Sequence, residues 1–269
     1  MNAVTITEIT LAAMEGSVAR HDRGMSATTP AAPFVHAILL REGGDDYSGD
    51  LPALRGLERL ELDPRVTFLV GENGSGKSTL IEALAVAAKL NVEGGGKLLK
   101  FSTRRTHSQL HERLTLERSK LPPLNAFFLR AESVFNLATA IEEGGPIGAR
   151  EDVFQRPLHE QSHGESFLDI AVNRLGPRGF YLFDEPEAAL SVRGQLALIR
   201  RIHELVQEHS QFVVATHSPI LLGYPDATIL ELSEDGIRRV DYDETEQVEL
   251  TRSFLEDRGR FLRHLLAAE

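Results

Sequence analysis

One run of eight residues restricts this chain more than any other: Gly71-Glu72-Asn73-Gly74-Ser75-Gly76-Lys77-Ser78. It matches G-x-x-x-x-G-K-[ST], a pattern with a mechanical meaning only where a strand runs into a helix. Both neighbours are present. Val66-Thr67-Phe68-Leu69-Val70 reads as a buried β-branched strand, and from Ser78 to about Leu90 the residues Leu80, Ile81, Leu84 and Ala88 recur at helical spacing. Glycines let backbone N–H groups converge on a phosphate, and the first turn of the following helix adds unpaired donors and a positive dipole end. Gly71, Glu72, Asn73, Gly74, Ser75, Gly76, Lys77, Ser78 and Thr79 are therefore expected to cradle a nucleotide. In this reading Lys77 reaches the β and γ phosphates and the Ser78 hydroxyl ligates Mg2+.

Around that loop, apolar strands alternate with helical stretches. Phe34 to Leu40, Leu57 to Leu62, Phe127-Phe128-Leu129, Tyr181-Leu182-Phe183 and Phe212 to Ala215 read as strands, with short ones near Ile229-Leu230 and Ile237 to Val240. Gly164 to Leu175 reads as a helix. A second helix carries the stripe Val192, Leu196, Ile199, Ile202 and Val206. The pattern predicts an α/β fold with a mainly parallel core sheet flanked by helices and an antiparallel β portion. Residues 1–30 are expected to be a loosely ordered leader. Residues 31–269 are expected to form a single domain, with 91–163 as an inserted subregion. The tail from Thr245 to Leu266, with Val248, Phe254, Leu255, Phe261, Leu262 and Leu265, is expected to be an amphipathic helix packed on the core.

Composition narrows the chemistry. Zero Cys among 269 residues removes disulfides, thiolate zinc sites and thiol catalysis. No stretch reaches the ~20 consecutive apolar residues that span a bilayer, so no direct membrane insertion is expected. The opening MNAVTITEITLAAM lacks Lys or Arg before its apolar run, so a cytoplasmic location is expected rather than secretion. Net charge is −11, yet residues 94–120 hold Lys97, Lys100, Arg104, Arg105, Arg113, Arg118 and Lys120 against only Glu112 and Glu117. A basic strip with Phe101 and His107 interleaved could track phosphates of a nucleic acid; a solvated hairpin face is the plainer reading.

Two further groups lie just past buried strands, where open α/β sheets bind ligands. Asp184 and Glu185 follow Tyr181-Leu182-Phe183; Asp184 would hold Mg2+ and Glu185 would polarise the attacking water. His217 follows Phe212-Val213-Val214-Ala215-Thr216, 33 positions beyond Asp184, and a side chain there could meet the γ-phosphate.

Ser162-His163-Gly164-Glu165-Ser166 precedes a helix and lies upstream of the acidic pair. From about Phe34 to Leu232 the chain resembles the ABC-type ATPases, whose signature is Ser-Gly-Gly-Gln-like. Ser162 and Gly164 match its first and third places, His163 replaces a glycine, and Glu165 stands where many members have Gln. The order of parts agrees as well: phosphate loop, signature, acidic pair, Ala188-Ala189-Leu190-Ser191 as a D-loop, then His217. The runs FFLRAES, HEQSHGES, LFDEPEAALS and ATHSPILL are similar to those of small stand-alone bacterial AAA or ABC-type ATPases. The resemblance implies a P-loop NTPase fold and hydrolysis of ATP with Mg2+. It also implies a head-to-tail homodimer in which Ser162, His163, Gly164 and Glu165 of one subunit close over the nucleotide of the other. Glu132 falls about where the family's Q-loop Gln lies, and Tyr47 is the nearest aromatic to stack on adenine.

The departures at His163, Glu165 and Glu132 favour a stand-alone ATPase acting on nucleic acid or a protein partner over the nucleotide-binding subunit of an ABC transporter, which stays as the alternative. Lys77 and Ser162 are 85 residues apart with no sustained heptads, which excludes a coiled-coil arm.

Overall fold

The computed structural model describes residues 33–41, 51–91, 95–96, 110–134, 137, 139 and 162–267. All of them fall within one compact unit, Ala32–Glu269. The expected leader, Tyr47 and most of the basic segment, residues 97–109, lie outside the described residues.

Strand β3 (Val66–Gly71) lies inside a sheet, bonded in parallel to β8 (Gln211–Ala215) on one side and to β9 (Thr228–Ser233) on the other. Parallel pairing continues from β8 to β7 (Gly179–Asp184) and from β7 to β6 (Asn125–Arg130). Antiparallel strands close the edges: β10 (Gly236–Val240) on β9, and the two-residue β4 (Gly95–Gly96) on β6. The described order is β10-β9-β3-β8-β7-β6-β4. Central strands of such a sheet are covered on both faces, which is why they read as unbroken apolar runs.

Alternate residues serve the two faces. Phe68, Tyr181, Phe183 and Phe212 point to one side, where Phe167 and Ile170 of helix α3 (His163–Asn173) and Leu198, Ile202 and Leu205 of α4 (Val192–Gln207) meet them. Phe183 and Phe212 pack edge to face with centroids 5.6 Å apart, the geometry ring quadrupoles favour. Leu69, Leu182 and Val213 point the other way, onto Leu80, Ile81 and Leu84 of α1 (Lys77–Ala87). The far side of α1 is covered by a second, three-stranded antiparallel sheet in the order β2 (Arg59–Glu61), β1 (Val35–Leu40), β5 (Leu114–Arg118). Ile38, Leu40, Leu60 and Leu114 supply its apolar face. The phosphate-loop helix is thus held between two sheets.

Gln211 ties the sheets together. Its Oε1 accepts from the N–H groups of Phe34 and Val35 at 2.9 and 3.0 Å, and its Nε2 donates to the carbonyls of Val35 and Asp63 at 2.8 and 2.9 Å. A buried amide with every bond made specifies one arrangement and no other.

Three expectations need correcting. The stripe read for α4 holds only in part: Ile202 and Val206 are buried and Ile199 packs against the core, but Val192 and Leu196 are exposed, and Leu198, Leu205 and the buried polar Gln195 complete the inward face. Hydrophobicity alone placed the stripe too close to the helix start, where Gly194 and Gln195 make the close contacts. The basic segment is not all hairpin; α2 (Leu110–Arg113) precedes β5 and inserts Leu110 into the core beside α1. The C-terminal tail is not one helix packed on the core. It is two helices broken at Asp257, and of its predicted apolar residues only Val248 is buried.

Within the basic segment, Arg113 and Arg118 serve the scaffold. Arg113 Nε donates to the Arg41 carbonyl at 2.9 Å, and Arg118 donates to the carbonyl of Ala87 at the end of α1.

Candidate nucleotide and magnesium site

Because β3, β6, β7 and β8 run in parallel, their carboxyl ends share one edge. Register puts Arg130 beside Asp184, Asp184 beside Ala215, and Ala215 beside Leu69, just before the loop. Residues far apart in sequence arrive together for that reason alone.

Gly71 is fixed by a close approach: with φ at 145°, any Cβ there would sit 2.3 Å from the Leu232 carbonyl oxygen of β9. Gly74 and Gly76 are left-handed at φ 84° and 99°, and Gly76 caps α1. Glu72, Asn73 and Gly74 are exposed, so the loop's outer rim faces solvent. Lys77, by contrast, is buried. Its Nζ donates to the Gly71 and Glu72 carbonyls at 2.9 and 2.8 Å. Burial lowers its pKa, an effect opposed by the carboxylates of Glu185, Asp184 and Glu187. Thr79, in the first turn of α1, is half-buried.

Ser78 Oγ donates to Asp184 Oδ1 at 3.1 Å. The Asp184 side chain is only 4% exposed. Burial pushes its pKa up to about 6, against the pull of Arg130 and Ser78. Arg130 Nε stands 3.4 Å from Asp184 Oδ2, near enough for charge attraction but angled too poorly for a hydrogen bond. The rest of that guanidinium is turned to Glu82 on α1 and to Glu132 at 3.4 Å. A buried carboxylate so incompletely neutralised, beside a hydroxyl, is a hard-oxygen pair that fits Mg2+.

Glu185 begins the loop after β7 in a left-handed conformation, φ 46° and ψ 51°, with its N–H bonded to the Ala215 carbonyl at 2.9 Å. Its Oε1 lies 3.8 Å from His217 Nε2, too far for a hydrogen bond. That His217 nitrogen is buried and has no partner among the described residues. Glu187 binds the strand-β8 loop from the other side: Oε2 accepts from Thr216 Oγ1 at 2.8 Å and Oε1 from the His217 N–H at 2.5 Å. Ser218 Oγ then donates to Gln195 Oε1 while accepting the N–H groups that start α5 (Pro219–Leu222). His217 is therefore held at its backbone by Glu187, with its Nε2 left without a partner among the described residues.

The signature segment lies elsewhere. Ser162 caps α3 in a reciprocal box with Glu165: Glu165 Oε2 accepts from the Ser162 N–H at 3.0 Å and hydroxyl at 2.8 Å, and Ser162 Oγ accepts from the Glu165 N–H at 3.4 Å. His163 is exposed. Gly164 abuts the loop after the acidic pair, where a Cβ would come within 2.7 Å of the Ala189 carbonyl oxygen. A cavity of about 470 Å3 opens beside the phosphate loop, lined by Gly71–Ser75, Pro52, Ala53, Glu231–Asp235, Glu246 and Gln247. None of Ser162, His163, Gly164 and Glu165 lines it. Glu132 is 78% exposed just past β6 and pairs with Arg130.

Sequence reasoning passed over Arg130, Glu187 and Gln195. Arg130 and Glu187 sit inside the quoted runs FFLRAES and LFDEPEAALS, but nothing local to either marks the partner it finds across the sheet.

A family model described as an AAA domain matches residues 53–106. The hemin import ATP-binding protein HmuV of Streptomyces coelicolor is 30% identical over 220 residues, covering 75% of this chain and 76% of that protein. The zinc import ATP-binding protein ZnuC of Cereibacter sphaeroides is 29% identical over 182 residues, covering 64% and 66%. Among solved structures, the SMC head domain from Thermotoga maritima aligns at 16% identity with a TM-score of 0.43, covering 77% of this chain and 99% of that one.

The class set by loop, acidic pair and parallel sheet is that of P-loop nucleotide hydrolases. Within it, this chain belongs to the ABC-type ATP-binding proteins. It is an ATPase, taking ATP with Mg2+ and releasing ADP and phosphate. No helix among the described residues is long and apolar enough to cross a membrane.

Proposed function

We propose that this chain is a cytoplasmic ATPase whose two copies join head to tail around ATP, and that hydrolysis releases them. The observation that carries this reading is the separation just described. Lys77, Ser78, Asp184, Glu185 and His217 meet at one sheet edge, while Ser162 and Glu165 cap each other at an exposed helix start.

In this mechanism the N–H groups of Gly74 to Ser78 bind the phosphates. Lys77 leaves the Gly71 and Glu72 carbonyls for the β and γ oxygens, which replace two neutral acceptors by charged ones. Ser78 and Asp184 would hold Mg2+, which would draw charge from the β and γ phosphates. Arg130 positions Asp184. Glu185 takes the proton of the attacking water. Its exposure leaves room for that water, and its left-handed backbone turns the carboxylate off the line of β7. His217 Nε2, with no partner among the described residues, donates to the γ-phosphate, and Glu187 fixes its backbone. The partner subunit contributes the start of α3, where the Ser162 hydroxyl and the helix dipole meet the same phosphate.

Light scattering of Glu185→Gln with and without ATP tests the proposal. A doubling of mass with ATP, with turnover reduced at least about a hundredfold, is expected. An unchanged turnover removes Glu185 as the base, and a mass that ignores ATP removes the sandwich.

A second reading, the nucleotide-binding subunit of a transporter, is favoured by the import functions in the relatives' names. Recovery of the native chain bound to an integral membrane protein after detergent extraction would select it. Salt-sensitive binding of DNA or RNA, lost in Arg104→Glu/Arg105→Glu, would instead select a nucleic-acid partner.

A further inference from the structure

The C-terminal helices leave the core. Beyond Val248 in α6 (Glu246–Glu256), no residue from 251 to 267 is buried, and that stretch includes Phe254, Leu255, Phe261, Leu262, Leu265 and Leu266. Leu255, Leu265 and Leu266 are 73%, 67% and 75% exposed. Helices as short as α6 and α7 (Arg258–Leu265) do not persist in water on propensity alone. An apolar face of this kind on a charged chain marks a contact surface.

The two helices form a hairpin with Phe254 and Phe261 edge to face, centroids 5.6 Å apart. Between them runs a groove of about 690 Å3, lined by Phe261 and Leu265 together with acidic Glu256 and Asp257 and basic Arg260 and His264. The signs are segregated. α6 carries Glu246, Glu249 and Glu256 against Arg252, which is already paired with Asp243. α7 carries Arg258, Arg260 and Arg263 and no acid. In an unbroken helix Glu256 and Arg260 would pair at i,i+4. The break at Asp257, φ −143° and ψ 76°, prevents it. None of these three glutamates and three arginines of the hairpin forms an ion pair among the described residues.

We propose that the hairpin is a nucleotide-independent homodimerisation surface, with α6 of one copy against α7 of a second and the grooves closed on each other. Charge complementarity selects the occupant. A surface with an acidic and a basic helix on either side of an apolar groove is its own complement under a two-fold axis, each Glu256 facing the partner's Arg260. A nucleic acid or anionic bilayer would meet Glu249, Glu256 and Asp257 as repulsion, and an acidic peptide would satisfy α7 alone. The inference goes beyond the ATP-dependent contact, and its test needs no nucleotide.

Light scattering of the full chain without nucleotide at tens of micromolar should give the mass of two 29.7-kDa chains. Leu265→Asp should return it to one, with an unchanged circular dichroism spectrum because that side chain is exposed in the single copy. Glu256→Arg and Arg260→Glu should each weaken association at least about tenfold. An equimolar mixture of the two, and a chain carrying both, should regain it. A monomeric wild type overturns the proposal. So does a dimer indifferent to Leu265→Asp, or a mixture that fails to recover.

Discussion

Asp184→Asn should make the metal-free protein more stable while abolishing its chemistry. The Asp184 carboxyl is raised from an ordinary 3.8 to about 6, with burial the largest cause. A folded pKa above the unfolded one means the fold favours the neutral acid. Stability is therefore highest where Asp184 is protonated and falls as pH rises from about 4 through about 6, then levels off. At pH 7.5 both states are ionised and the full difference applies, on the order of 3 kcal/mol. At pH 5 the folded acid is mostly neutral, and about half of that remains. Asn keeps the shape and can accept from Ser78, but never carries the charge. It also leaves Arg130 with only Glu82 and Glu132, which offsets part of the gain. The expected stabilisation is about 1–3 kcal/mol, or a melting temperature several degrees higher for a chain of this size. The chain has no Trp, so melting is best followed by circular dichroism or calorimetry, in EDTA. The order should reverse with Mg2+ and ATP, because only the wild type gains the stabilisation of a ligand bound to the native state. If the variant melts at or below the wild type at pH 7.5 in EDTA, the reading of Asp184 as a strained, under-neutralised carboxylate is wrong. A gap that does not narrow between pH 7.5 and pH 5 would show that the effect, whatever its size, is not the charge.

Four further outcomes follow from named contacts. Arg130→Ala removes the main group drawing Asp184 down, so carboxyl titration by NMR in EDTA should move to higher pH, and Arg130→Lys should restore part of the shift. Glu187→Ala removes two acceptors that hold Thr216 and His217, worth about 2–3 kcal/mol together after allowing for partial exposure. Its turnover should fall at least tenfold while ATP binding, measured by calorimetry, is retained. Gly164→Ala forces a Cβ onto the Ala189 carbonyl and should cost about 1–3 kcal/mol in thermal unfolding, with ATP-driven dimerisation lost. Ser162→Asn keeps an N-cap acceptor and should change stability by only a few tenths of a kcal/mol; it should nevertheless lose turnover, since the hydroxyl offered to the partner's phosphate is gone, and unaffected turnover would leave Ser162 a cap alone.

How far the site could be read in advance depended on whether its signals were local. Gly71–Ser78 is a single contiguous device: the strand before it, the glycines and the helix after it declare one another, and the structure adds only that Leu232 of β9 is what forbids a side chain at Gly71. Asp184 and Glu185 were legible because a buried strand that ends in two acids places them at a sheet edge. Arg130 was not. Its meaning depends on pairing β6 with β7 in the register that sets Arg130 beside Asp184, a contact across 54 positions for which sequence spacing gives no sign. Gln211 is a sharper case. A Gln opening an apolar strand looks like a boundary residue, yet it is fully buried and makes four bonds that join the two sheets. The tail failed in the opposite sense: its periodicity identified an amphipathic segment correctly but could not say which surface covers the apolar face. Periodicity states that a partner exists and leaves open whether it is the same chain. The 17 residues after Leu250 with none buried answer that for the single copy. Among the described residues, the core that shelters Phe68, Phe183 and Phe212 does not extend to Leu265, the side chain that the proposed second copy would cover.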